Sequence, residues 1–492
     1  MAHGTQSRSG LNTPLGEFFP HGMFGRMFPA LPPLTATEDQ LFNLAQAVTS
    51  TASDDSDGIG DNPNVPAGFT YLGQFIDHDI SLDLTSLGEI SVDPLAVHNF
   101  RTPGVDLDSI YGLGPAAHPF MYQSGADNDK FLIGTTSPNT PGGDSSVPVS
   151  QPFDLPRGPN GRALIGDGRN DENLAVAQTH LAFLRFHNEV VTRLKAGTIQ
   201  PLEFGQPSTF ESARQLVIWH YHWIILNDFL RRVTHGSVLD DVLQNGRKFF
   251  LYEKEPFMPV EFSGAAYRLG HSMVRAVYAY NGVFRVGGTG PVPGTLELLF
   301  NFSGGSGTGV PIPSDWIIDW RRFFEIDSAV PPNFSRKLDP FVIKALGDLP
   351  EFASAPVRLR SLSFRNLLRG VRLRLPSGQS VARLMGLTPL TVAEISRGVD
   401  GVAAAANGLA HQTPLWYYIL KEAEVQESGL RLGQVGSRIL AEVFVGLIQG
   451  DEASFLNVFP KWKPTLPAAT AGDFTMADML IFTGDLNPIG KT

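Results

Sequence analysis

Between residues 170 and 197 the chain reads "NDENLAVAQTHLAFLRFHNEVVTRLKAG". Apolar residues recur at helical spacing, acidic residues come first and Lys-Ala-Gly comes last. That is the start and stop chemistry of a helix. "ESARQLVIWHYHWIILNDFLRRVTHG", residues 211–236, has the same texture, and "TATEDQLFNLAQAVTS" predicts an earlier helix. The apolar run over 70–81 inside "GFTYLGQFIDHDISLDLT" predicts another. Further helices are expected over 261–280, 315–326, 338–347, 378–386, 390–398, 413–427 and 432–448. Strand signals are few and short, such as "AVYAYNGVF". Residues 1–66 and 86–165 are too dense in Gly and Pro for long helices or central strands. No repeat of fixed period and no clear linker interrupts the pattern. The expected fold class is mainly α: one large helical domain with long loops and few short strands. Residues 1–60 read as an N-terminal extension packed on a domain spanning 61–492. Loops this long inside a compact domain usually carry function.

Composition narrows the chemistry. The chain has 492 residues, 42% hydrophobic and 18% charged, enough for a large core. A net charge of −11 argues against a nucleic-acid or anionic-membrane partner. Cysteine is absent, which excludes disulfides, a disulfide-linked dimer, thiolate metal sites and a cysteine nucleophile. Any metal must be held by His, carboxylate, amide, hydroxyl or backbone oxygen. No signal peptide is visible, and no run reaches the roughly 18 apolar residues of a membrane span. The expectation is a monomer, cytoplasmic by default, with export by a signal-less route left open.

Asp77, His78 and Asp79 crowd the end of an apolar run, and on a helix they face three directions. Gln74 lies four residues before His78 and shares its face. A proton acceptor and a hydrogen-bond donor over one cavity suit a small polar ligand. The plainer reading is a buried histidine satisfied by its neighbours. In "LIGDGRNDENL", Arg169 and Glu172 are three apart at a loop-to-helix junction, where acidic residues also serve the helix dipole. In "AAYRLGHSMVRAV", Arg268 and His271 share a face, and Gly270 leaves room for a flat group beside His271. A core histidine is again the plainer reading. In "RTPGVDLDSIYG", Thr102, Gly104, Asp106 and Asp108 alternate, which suits oxygens converging on Ca²⁺ or an Asx-rich turn. "SDDSDGIGDNPN" fails as an EF-hand, because Ser53 and Asn64 stand where Asp and Glu belong. In "WHYHW", His220 and His222 diverge on a helix, and the terminal "GDLNPIGKT" has no helix to follow it as a phosphate loop would. The arginines of "RLRSLSFRNLLRGVRLRLP" read mostly as a solvated face, with one or two able to reach an anionic cofactor.

Six stretches, "GQFIDHD", "TPGVDLDSIYG", "GDGRNDEN", "LAFLRFHNEVV", "YRLGH" and "LPSGQSVARLMGL", stand in the order of one family. Through them the chain resembles the peroxidase–cyclooxygenase superfamily, the animal haem peroxidases, in a compact bacterial-type version, over roughly residues 60–450. The resemblance implies a haem peroxidase domain with haem b and Ca²⁺. It implies His78 as distal histidine with Gln74 beside it, and Arg169 as distal arginine. It implies His271 as iron ligand, Arg268 as propionate partner, and Asp77 and Glu172 as ester-forming carboxylates. Asp79, Thr102, Gly104, Asp106 and Asp108 match the calcium ligands, with Asp108 where relatives often have Ser. Gln379 falls where mammalian members place an Asn that bonds the proximal histidine. Asn173 replaces a methionine that forms a third haem link in some members, so that link is expected to be absent. Arg268 stands where cyclooxygenases carry a radical tyrosine.

The implied activity is reduction of hydrogen peroxide through an oxoferryl intermediate, with oxidation of a halide, pseudohalide, phenolic or other organic donor. Two further readings stand beside it. A haem dioxygenase acting on a lipid or organic substrate needs a tyrosine close to the haem. A His-Asp metal-dependent phosphohydrolase, invited by the His78–Asp79 dyad, needs further histidine ligands on neighbouring helices.

Overall fold

Thr37 closes a capping box with Gln40 at the start of helix α1 (Glu38–Val48), which buries Leu41, Leu44, Ala45 and Val48. The computed structural model describes residues 22–49, 60–82, 98–99, 101, 103–202, 208–305, 309–349 and 354–491. Strand β1 (Asp61–Pro66) pairs antiparallel with β2 (Phe334–Arg336), and helix α2 (Gly68–Ile80) follows β1. Asn173 caps helix α3 (Leu174–Lys195) by accepting the Val176 N–H at 3.0 Å. Ser208 caps α4 (Thr209–Ile224), which continues through a π-helical turn at Ile225–Phe229 into Leu230–Val233. Towards the C-terminus come α5 (Leu362–Arg372), α6 (Leu415–Glu427) and α7 (Gln434–Gly450). About 47% of the chain is helical and, among the described residues, the strands are few and short and form no barrel, so the fold is mainly α.

One aromatic stack ties α2, α3 and α4 together. Phe75 lies face to face with Phe183, ring centroids 4.7 Å apart and 7° from parallel. Tyr221 meets both rings edge-on, at 6.1 and 5.4 Å. These residues belong to one large core cluster, which also includes Phe24, Met27 and Phe28 from the N-terminal segment. That segment is hydrogen-bonded to the rest of the chain, because Glu261 accepts the backbone N–H groups of Met27 and Phe28.

The expected helices over 35–50, 70–81, 170–197, 378–386, 413–427 and 432–448 are present with small shifts of boundary. Others are not. The segment 261–280 breaks into Val260–Ser263, a 3-10 turn at Ala266–Leu269, one turn at Gly270–Met273 and a two-residue strand, Val277–Tyr278. Its apolar residues face several neighbours in turn. Tyr267 stacks on Phe262 at 4.8 Å and meets Phe444 of α7 at 5.2 Å, while Val277–Tyr278 pairs with Gly294–Thr295. Segments 315–326 and 338–347 hold only 3-10 turns; in the first, Asp319 accepts the Arg321 N–H and caps the turn Trp320–Arg322. The expected helix over 390–398 is the single turn Val392–Ile395. Helix α5 was read only for its arginines, and its buried face is Phe364, Asn366, Leu367 and Leu368.

Candidate active site

A cavity of about 700 Å³ opens between α2, the turn at 168–173, the broken segment around 267–274 and residues of α5. Its wall includes Gln74, Asp77 and His78 from α2, and Arg169, Glu172 and Asn173 from the turn. Arg268, Gly270 and His271 line it from the broken segment. Residues separated by almost two hundred positions in sequence thus meet at one space. A side chain at Gly270 would meet no atom within 4 Å, so the space beside His271 is open. Leu269, Val274, Leu346 and Leu349 supply apolar surface to the same wall.

Each polar group is held. His78 is 5% exposed. Its Nδ1 lies 2.8 Å from Oδ1 of Asn170, and its Nε2 is 3.8 Å from Oε1 of Glu172. Burial, with the Arg169 charge beside it, pushes His78 down to about 4, so it is neutral near pH 7. Gln74 donates to Glu172 and accepts from Nδ2 of Asn173 at 3.0 Å. Asn173, at the position of the absent methionine, therefore serves as helix cap and as holder of Gln74. Arg169 sits in a 3-10 turn capped by Asp167, whose carboxylate accepts from its Nε and from its Nη2 at 2.7 Å. The same Nη2 donates to the carbonyl oxygens of His78 at 3.0 Å and Ser81 at 2.7 Å. Burial alone would raise Asp167, but hydrogen bonds from Arg169 and the charge of Arg101 hold it well below the usual carboxylate range. Asp77 accepts from Ser81 Oγ at 3.1 Å. On the opposite wall burial, then the Arg268 charge, pushes His271 down to about 3.

Three comparisons bear on this arrangement. A sequence model of the animal haem peroxidase family matches residues 88–286. A peroxidase-like protein of Margaritifera margaritifera is 31% identical over 137 residues, 27% of this chain and 17% of that protein. Heme peroxidase 2 of Caenorhabditis elegans is 24% identical over 178 residues, 35% of this chain and 23% of that protein. The chain thus spans less than a quarter of the length of these curated relatives. Among solved structures, peroxidase A from Dictyostelium discoideum superposes with a TM-score of 0.59 at 14% identity, covering 93% of this chain and 95% of that one. Oryza sativa fatty acid alpha-dioxygenase superposes with a TM-score of 0.56 at 14% identity, covering 93% and 78%. Residues 88–286 thus match the animal haem peroxidase family, and the fold as a whole is that of these peroxidase and dioxygenase structures.

Gln379 is not the partner of His271. Its amide donates to Thr413 Oγ1 at 2.8 Å and to the Ala410 carbonyl at 3.2 Å, and accepts the Thr413 N–H at 2.9 Å. Those bonds consume the side chain in tying the helix Gly378–Leu384 to the loop at 410–413. Asn366 of α5 takes the role instead, with Nδ2 2.9 Å from Nδ1 of His271. Asn170 was also missed by the sequence reading. Position 170 sits inside "GDGRNDEN", but nothing in the spacing says that its amide turns back on α2.

The acidic loop folds against the far side of α2. Carboxylate oxygens of Asp79, Asp106 and Asp108 lie within 4.8 Å of one another. Gly104 is buried in the same loop, and Thr102 lies outside the described residues. Asp79 also accepts from Ser109 Oγ at 2.9 Å and the Leu107 N–H at 3.2 Å. Burial raises the carboxyl of Asp79, and its two acidic neighbours raise it further. Asp108 is paired with Arg101 at 2.9 Å. Three carboxyl groups against one guanidinium, itself shared with Asp167, gather hard oxygen donors that can ionise together only beside a further cation, the demand a divalent ion such as Ca²⁺ meets. Among the described residues this is the only grouping of three or more His, Cys, Asp or Glu side chains with metal-ligand spacing, and it contains no histidine.

Proposed function

We propose that the chain is a haem peroxidase that uses hydrogen peroxide to oxidise a small electron donor, either a halide or pseudohalide or a phenolic or other organic molecule. The observation that carries this reading is the pair of imidazoles, the buried His78 and the half-buried His271, on the wall of one cavity with three arginines. His271 would hold the haem iron through Nε2, since Nδ1 faces Asn366. Ligation through Nε2 puts the proton on Nδ1 and calls for Oδ1 of Asn366 there, a turn of the amide that leaves the contact in place. Arg268 and Arg365, both on the wall, offer charge to the two propionates. The apolar residues suit the body of the macrocycle. Asp77 and Glu172, on the same wall, would form ester links to its methyl groups. Asp79, Asp106 and Asp108, with Gly104 and Thr102, would hold Ca²⁺ and clamp α2 to the loop.

Haem, when bound, supplies the redox chemistry with peroxide. The protein supplies proton handling and charge. His78 is neutral and takes the proton from incoming peroxide at Nε2, then returns it to the oxygen that departs as water. Gln74, held by Asn173 and Glu172, supports the same space. Arg169, fixed by Asp167 and two backbone carbonyls, stabilises negative charge on the departing oxygen without having to reorganise.

Mixing the haem-loaded chain with hydrogen peroxide and a chromogenic phenol tests the reading. Peroxide-dependent oxidation that is lost in His271→Ala is the expected result, and no oxidation by the wild type would sink it. A second reading has one observation behind it. Tyr267 lines the cavity, so the tyrosine that a dioxygenase needs is present, although its hydroxyl donates to the Gly73 carbonyl at 3.1 Å. Oxygen uptake with palmitate and no added donor would favour that reading instead.

A further inference from the structure

Behind His78, away from the cavity, lies a second buried histidine that the proposed chemistry does not use. His180 of α3 is fully buried. Its Nδ1 lies 3.0 Å from Nδ2 of Asn170, the same amide whose Oδ1 lies 2.8 Å from Nδ1 of His78. Asn170 is itself fully buried, so no bulk water competes for either contact. An amide has one donor end and one acceptor end. Bridging two Nδ1 atoms, it cannot give both the same partner. One histidine must carry its proton on Nδ1 and the other must leave Nδ1 bare. Both rings are buried away from bulk water, which disfavours an imidazolium at either.

We infer that Asn170 is a positioning residue that locks His78 and His180 in opposite neutral tautomers. His78 carries Nδ1–H and His180 carries Nε2–H. The orientation follows from the geometry on each side. With Nδ1–H donated to Asn170, His78 keeps a bare Nε2 toward the cavity, where a proton acceptor is needed. In the reverse tautomer its Nε2–H would face Glu172 at 3.8 Å, beyond hydrogen-bond length, and that oxygen already accepts from Gln74. His180 thus pays for the arrangement with an Nε2 that has no hydrogen-bond partner among the described residues. In the proton transfer itself, one proton moves from peroxide to Nε2 of His78 and one returns to the departing oxygen. Asn170 gains and loses none.

The inference rests on the proposed role of His78 only for its consequence, and its primary test does not need that role. Long-range ¹⁵N–¹H correlation spectra of the histidine-labelled full chain distinguish the two tautomers directly. They are recorded on the chain as purified, reduced and under carbon monoxide wherever haem is bound, so that the site is diamagnetic. Signals are assigned with His78→Gln and His180→Gln. The expected spectrum shows Nδ1–H at His78 and Nε2–H at His180. The same tautomer at both rings, or the reversed pair, overturns the inference. The consequence is read with Asn170→Leu. Its haem spectrum should match the wild type, while its rate with hydrogen peroxide falls at least about tenfold. An unchanged rate with intact haem removes the positioning role. Absence of haem in the wild type would overturn the proposed function while leaving the tautomer result standing.

Discussion

At His78, the burial that makes the imidazole hard to charge and the contact of Nδ1 with Asn170 act on one ring. Replacing it should separate binding from chemistry. His78→Gln is expected to keep haem and to slow the reaction with peroxide by about 10²–10⁴-fold, read by stopped-flow absorbance. A variant reacting at the wild-type rate would remove His78 from the mechanism. Buried histidines also set the acid side of stability. Burial pushes His180 down to about 3 and His187 and His220 to about 4, below the ordinary 6.5. The unfolded chain therefore takes up protons first as pH falls. Their contribution to stability is complete above about 6.5 and is lost progressively as pH drops toward 4 and 3. Melting temperature should decline over that window, and a flat profile would contradict the assignment. Gln379 and Asn366 mark what single residues reveal. Both are amides near arginines in sequence, and only the packing of α5 against the turn at 270 decides which reaches His271.

Two helices bring side chains to the two histidines of the cavity. Helix α2 carries Gln74 and His78 on one face with Asp77 and Asp79 to either side, and Phe75 anchors it to α3 and α4. Phe75→Ala should cost about 3–5 kcal/mol of stability, measured by chemical denaturation, because it empties the centre of the three-helix stack. A loss well under 1 kcal/mol would mean the stack does not hold α2. Helix α5 carries Asn366. Asn366→Leu should keep haem but raise the ferric/ferrous midpoint potential, since an acceptor for the His271 N–H makes that ligand more basic and favours ferric iron. Spectroelectrochemistry reads the shift, and an unchanged midpoint would detach Asn366 from the iron. α2 and α3 were legible because their signals are local: apolar spacing, a capping Asn and a charged end. The stretch 261–280 was not. Its apolar residues satisfy helical spacing, yet Tyr267 and Tyr278 are claimed by different neighbours, and tertiary contacts override the local pattern. The role of α5 was hidden because its one buried amide stands among five arginines between 358 and 372.

For the molecule as a whole, the two proposed cofactor sites flank α2, with the cavity on one side and the carboxylate trio on the other. If the trio holds Ca²⁺, elemental analysis should find one calcium per chain. A chelator should then lower the melting temperature, and Asp106→Asn should remove that sensitivity. A metal-free chain indifferent to chelator would contradict the calcium proposal without touching the haem. The mainly α class and the gathering of Gln74, His78, Arg169, Glu172 and His271 were legible from six short motifs, because each motif carries its own local geometry. What the motifs could not supply is the bond network behind them, which runs through Asn170, Asn173 and Asn366. The central claim is that this cavity takes haem on His271. The most direct measurement is the absorption spectrum of the purified chain after haem loading, for wild type and His271→Ala side by side. A Soret band in the wild type that is lost or shifted in the variant is the predicted result. A wild type with no Soret band, or a variant with an unchanged one, would contradict it.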